Sequence, residues 1–145
     1  MLSRKRVVVT GMGIVCPVGN TVEEAWDNAA QGVTGIAPIR RFDASGLENR
    51  FGGEVKDFNA EAIFGKREAR RMDRFTQMAA YSTQKALESS GFEINDNNRY
   101  DVAVVMGTGI GGIATLVHSV QKFYATGANS VSPLMVPMML PDSAS

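Results

Sequence analysis

The chain has 145 residues, 44% hydrophobic and 8% aromatic, which is a globular composition with enough apolar material for one packed domain. Lys and Arg number 15 and Asp and Glu number 15, so no overall field recruits nucleic acid or an anionic membrane, and a charged partner must be met by a local patch. The single cysteine, Cys16, cannot form an internal disulfide, which fits a reducing compartment.

Arg4, Lys5 and Arg6 precede an apolar run much as in a secretory signal, but Gly11, Gly13 and Pro17 interrupt it and no small-residue cleavage site follows. Residues 6–10 read instead as a buried strand of a cytoplasmic protein, and no run approaches the ~20 apolar residues that a membrane helix requires. Gly11-Met12-Gly13 makes a close-packed turn, and residues 14–17 extend the same edge. Thr21-Val22-Glu23-Glu24 has the form of a capping box, starting a helix that stops near Gly32. Residues 35–57 form an irregular excursion with a short strand at 53–55. Met72, Phe75, Ala79, Ala86 and Leu87 recur on one helical face, predicting a helix over residues 66–90 that Gly91 closes. Residues 101–106 are a second buried strand, and Gly107-Thr108-Gly109-Ile110-Gly111-Gly112 turns the chain into a helix over 113–125. Residues 130–145, with Pro133, Pro137 and Pro141, have no clear period.

This order describes α/β layering within one domain segment, residues 1–145. Few further strands are available to pair with 6–10 and 101–106. Their edges and the apolar residues 134–140 are therefore expected to leave an exposed apolar face, unless another chain covers it.

Gly107-x-Gly109-x-x-Gly112 matches the dinucleotide-binding pattern and follows a strand. The pattern also needs an acidic residue about twenty positions on, and residues 123–131 contain neither Asp nor Glu. Close backbone packing is the preferred reading of these glycines. Cys16 lacks a base to activate it: the only histidine, His118, lies mid-helix, and one Cys with one His cannot complete a four-ligand metal site. Cys16 reads as a small buried apolar residue, and neither metal nor cofactor is expected. Lys66, Arg67, Arg70, Arg71 and Arg74 cluster at the start of the long helix, where the helix dipole would prefer acids. The cluster is either a solvated face or a docking patch for an acidic partner.

In order and at compatible spacing, the chain carries Arg6-Val7-Val8-Val9-Thr10-Gly11-Met12-Gly13, Pro17-Val18-Gly19-Asn20, Phe42-Asp43, Gly53-Glu54-Val55-Lys56-Asp57-Phe58, Glu68-x-Arg70-Arg71-Met72-Asp73-x-Phe75, Gly107-x-Gly109-x-x-Gly112, and Ser132-Pro133 before Val136-Pro137. Together these resemble, across the whole chain, the N-terminal part of a type II β-ketoacyl-acyl carrier protein synthase of the thiolase-like α/β/α fold. The resemblance implies a homodimeric enzyme of fatty-acid elongation. In that family a cysteine thiolate takes an acyl chain from its carrier protein, and a malonyl-carrier then decarboxylates and attacks the thioester. The family's cysteine and two histidines are expected beyond Ser145, so no catalytic residue is assigned here and the chain alone is expected to be inactive. The resemblance further implies that Ile110 and Met135 line the acyl pocket, Leu134 and Met135 standing where two aromatics are usual. It implies that Arg67, Arg70 and Arg71 meet the acidic acyl carrier protein. Asp142 stands where the pattern has asparagine. The rivals are a non-catalytic, chain-length-factor-like partner subunit and a small nucleotide-binding protein using the glycine loop.

Overall fold

The computed structural model describes residues 5–145; Arg4, part of the basic N-terminal run, lies outside the described residues. Helix α1, Val22–Ala30, begins at the capping signal: the Thr21 hydroxyl accepts from the Glu24 N–H at 3.1 Å. The Glu24 carboxylate reaches back to the Asn20 N–H at 2.7 Å, one residue earlier than in the usual reciprocal box. The helix ends at Gln31, and Gly32 takes the left-handed φ of +72°. Strands β1 (Ile36–Pro38) and β2 (Phe51–Gly53) then pair antiparallel, with Ile36 opposite Gly53 and Pro38 opposite Phe51. The short strand expected at 53–55 is thus displaced toward the β-favouring Phe51.

Helix α2 (Ala60–Phe64), which the sequence reading did not separate, is capped by Asn59, whose Oδ1 accepts from the Ala62 N–H at 3.1 Å. It packs on α3 (Lys66–Ala69). Helix α4 spans Arg74–Ser90 and closes at Gly91 with φ +63°. Helix α5 spans Ile113–Thr126, against which the 3₁₀ turn Ala128–Ser130 and the short α6 (Met135–Met139) pack; a 3₁₀ turn, Pro141–Ala144, follows.

Two expectations need correction. The helix predicted over 66–90 is broken between Ala69 and Arg74. Asp73 supplies the reason: its Oδ1 accepts from the Phe75 N–H at 3.3 Å and its carbonyl from the Gln77 N–H at 2.9 Å, so it caps a new helix. Gln77 Nε2 donates to the Ala69 and Met72 carbonyls at 2.8 and 3.1 Å, satisfying groups that the break leaves open. The expected strands at 6–10 and 101–106 are not strands, because neither finds a ladder partner among the described residues. Residues 14–17 likewise yield only one bridge, Cys16 with Gly19.

The apolar surface is correspondingly open, as expected. Val7, Val9 and Val105 are 92%, 83% and 88% exposed, while the buried apolar residues are the alanines Ala25, Ala44, Ala60 and Ala69. The chain divides into two compact units, one of Met1–Phe58 with Ser82–Glu93 and one of Asn59–Tyr81 with Ile94–Ser145. In the first unit, Gly11 and Gly13 lie against the backbone of α4. An apolar cavity of about 940 Å³ opens there between Met12, Ile14, Trp26 and Ala86.

Candidate functional site

In the second unit the glycine loop leads into α5. Gly111 adopts φ +74°, and a Cβ on it would stand 2.5 Å from the Met139 carbonyl oxygen. A Cβ on Gly112 would stand 2.7 Å from Asp73 Oδ2 and 2.8 Å from Met139 Cα. These two glycines therefore serve close packing. Three amide donors at this helix start are also committed within the chain: Gly111 N–H to Thr108 Oγ1 at 3.2 Å, Gly112 N–H to the Met139 carbonyl at 2.9 Å, and Ile113 N–H to the Gly111 carbonyl at 3.0 Å. A phosphate at a helix N-terminus needs such amides free, so these three do not serve the nucleotide reading. Gly107 and Gly109 differ, since nothing lies within 4 Å of where a Cβ would be. Ile110 sits between the two halves of the loop and is 67% exposed.

Asp73 is 8% exposed. Its Oδ2 accepts the Thr115 hydroxyl from the first turn of α5, and its Oδ1 caps α4. In the sequence Asp73 stands out only as a member of the motif at residues 68–75, and Thr115 not at all. An Asp directly preceding a helical repeat is the cap signal that could have found the first; Thr115 is 42 positions away and left no local mark.

Met135, half-buried at the start of α6, lines an apolar cavity of about 390 Å³ with Val120, Phe123, Tyr124, Ala128 and Val131. Ile110 is not among its lining residues, so the structure does not bring the two expected pocket residues to one cavity. Asp142 is exposed in the 3₁₀ turn, and nothing in the structure explains it in place of asparagine.

Arg67, Arg70 and Arg71 are all exposed. Glu68 Oε1 lies 3.9 Å from both Arg67 and Arg71, a loose and solvated arrangement. Arg70 has no ion pair among the described residues. The break in the helix also corrects an expectation about this cluster. Arg70 and Arg71 follow the end of α3, where carbonyls point outward, and do not occupy the first turn of a long helix, so the dipole does not disfavour them. Cys16 is half-buried, more accessible than expected, and His118 is exposed on α5. Among the described residues no group of three or more His, Cys, Asp or Glu could hold a metal ion, and no helix is long and apolar enough to cross a membrane.

Comparison with known proteins turns this arrangement into a family assignment. The 3-oxoacyl-[acyl-carrier-protein] synthases 2 of Synechocystis sp. and of Staphylococcus aureus are each 44% identical over 144 residues, which is 99% of this chain and 35% of theirs. The chain thus spans about a third of the length of the curated relatives it matches. A solved structure of the ishigamide ketosynthase/chain length factor covers 95% of the chain with TM-score 0.78 and 25% identity, the chain covering 34% of it. A solved type II PKS acyl-carrier protein in complex with its ketosynthase, bound to the hexaketide, covers 97% with TM-score 0.75 and 24% identity, the chain covering 37%. The fold is thus that of the thiolase-like ketosynthases, and the helices and small sheet described above are an α/β portion of it. The model of the "Beta-ketoacyl synthase, N-terminal domain" family matches residues 4–145, glycine loop, capped break and cationic turn included, and the chain belongs to that family.

Proposed function

We propose that this chain is the N-terminal segment of a 3-oxoacyl-acyl carrier protein synthase of fatty-acid elongation, an acyltransferase performing a decarboxylative Claisen condensation. The observation that carries the reading is the 44% identity, along 99% of this chain, to synthases of that name. In the reaction an acyl group passes from a carrier thioester to an enzyme cysteine, releasing the carrier thiol. Malonyl-carrier then loses carbon dioxide, and the resulting carbanion attacks the enzyme thioester, freeing the cysteine and leaving a 3-oxoacyl-carrier. No catalytic residue is assigned within these 145 residues.

The contributions of this segment are binding surfaces. Ile110 and Met135 wall the acyl pocket. Met135 already lines an apolar cavity, and its flexible thioether gives a softer wall than the aromatic it replaces. Arg67, Arg70 and Arg71 receive the acidic acyl carrier protein: they are exposed, and Arg70 has no competing ion pair among the described residues. The complete enzyme works as a cytoplasmic homodimer. The likeness to a ketosynthase/chain length factor structure supports a second reading, a non-catalytic partner subunit. A cysteine in the nucleophile position of the complete sequence means enzyme, and a substitution there means partner.

The test reverses charge at the docking surface. In the full-length synthase, Arg70→Glu with Arg71→Glu should slow carrier association, most strongly at low salt, because exposed charges act through screened, long-range fields. Carrier affinity that is unchanged at low salt would reduce the cluster to a solvated face.

A further inference from the structure

We propose that Asp73 is a positioning residue for the glycine loop, and that through Thr115 it controls which acyl chains the loop admits; the second half of this rests on reading Ile110 as part of the acyl pocket. The two carboxylate oxygens have separate tasks. Oδ1 takes the Phe75 N–H and fixes where α4 begins, while Oδ2 takes the Thr115 hydroxyl and fixes the first turn of α5. Gly112 leaves the space that Oδ2 fills, since a Cβ there would sit 2.7 Å from that oxygen, and the Gly112 N–H is held by the Met139 carbonyl at 2.9 Å. The C-terminal half of the loop is thus pinned from α4 and from α6, two residues from Ile110. The N-terminal half meets nothing within 4 Å of a Cβ at Gly107 or Gly109. A chain entering beside Ile110 would press on a loop that yields on one side only, and Asp73 holds the side that does not.

A carboxylate serves both donors at once and brings a charge to them. Both of its oxygens accept, and both donors, a backbone amide and a hydroxyl, point inward at a residue 8% exposed. Asp73→Asn removes only the charge, because its NH₂ can donate to the Thr115 hydroxyl oxygen while its carbonyl keeps the Phe75 N–H; Asp73→Ala removes both bonds. Thr115→Val removes the hydroxyl from the other partner while keeping the side chain's shape, and Thr115→Ser retains it.

The experiment uses the full-length synthase with two readouts. Hydrogen exchange of the amides of residues 111–116 should accelerate about 10- to 100-fold in Asp73→Ala and in Thr115→Val, as loss of a bond to a buried charged group implies, with little further effect in the double variant. The ratio of kcat/KM for long and short acyl-carrier substrates should shift in the same direction in both, and Thr115→Ser should restore it. If Asp73→Ala does not fold, Thr115→Val carries the test. Unchanged exchange in Thr115→Val overturns the proposal. Accelerated exchange with an unchanged substrate ratio, where Ile110→Phe does shift that ratio, overturns the control of acyl specificity and leaves Asp73 merely structural. If Ile110→Phe leaves the ratio unmoved, the pocket reading fails, and exchange alone then decides whether Asp73 holds the loop.

Discussion

Residues 11–13 and residues 107–112 look alike in sequence, each a glycine cluster after a β-branched run, yet they meet opposite surroundings. At Gly11 and Gly13 an added Cβ would stand 2.2 Å from the Ala86 carbonyl oxygen and 2.0 Å from the Ser82 carbonyl oxygen, so both glycines admit the backbone of α4. In the second cluster only Gly111 and Gly112 are packed, and Gly107 and Gly109 face open space. The difference teaches how to read glycine: the residue says that a side chain is unneeded or not tolerated, and the atom it would strike says which. A motif match to the whole of 107–112 merges two halves with different causes.

The largest expected effect tests the tighter cluster. Gly13→Ala sets a methyl group against two α4 backbone atoms, the Ser82 oxygen and the Ala86 nitrogen at 2.8 Å, and helix backbone cannot yield as a side chain can. Destabilisation of about 3 kcal/mol or more is expected by equilibrium denaturation. A loss under about 1 kcal/mol would show that the two segments are not pressed together as described.

Gly112→Ala should cost less, about 1–3 kcal/mol, because Asp73 Oδ2 can swing aside whereas Met139 Cα cannot. Pairing it with Thr115→Val sharpens the comparison. If Asp73 is the atom that must move, freeing it from Thr115 should relieve part of the Gly112→Ala loss, and strictly additive losses would assign the clash to Met139 alone.

These contacts also mark what the sequence could disclose. The start of α1 at Thr21 and the end of α4 at Gly91 are legible because a cap is a local pattern of a few residues. The break at 70–73 is masked, because the apolar repeat of Met72, Phe75 and Ala79 runs straight through the local cap signal at Asp73, and the Gln77 side chain that reaches back across it leaves no pattern in sequence. The runs at 6–10 and 101–106 carry strand propensity, but a strand also requires a partner, and propensity supplies none. At the site, exposure of Arg67, Arg70 and Arg71 is what their charge demands, since an unpaired guanidinium stays in water. The pocket roles proposed for Ile110 and Met135 rest only on family resemblance, since a cavity wall depends on segments distant in sequence.

On the open half of the loop, Ile110→Phe should change stability by less than about 1 kcal/mol, because the side chain it enlarges is 67% exposed. Its effect should fall on function: in the full-length synthase the longest acyl chain accepted should shorten, each displaced methylene forfeiting about 0.8 kcal/mol of burial. Equal impairment of long and short substrates would remove Ile110 from the pocket.

The smallest effect is expected at Gly109. Its φ lies outside the left-handed region, so an alanine can adopt the backbone it has, and no atom stands within 4 Å of the new methyl group. Restricting the unfolded chain even favours the substitution slightly, so Gly109→Ala should alter stability by no more than about 0.5 kcal/mol in either direction. The contrast with Gly13→Ala is then a contrast between two glycines in similar sequence settings, one packed and one open. Acyl transfer in the full-length synthase separates the two explanations of that openness. A stable Gly109→Ala variant that accepts acyl chains poorly places a ligand in the space beside Gly109, as the pocket reading requires. Destabilisation above about 1 kcal/mol would mean that the loop is packed on both sides, and the division drawn between its halves would fall.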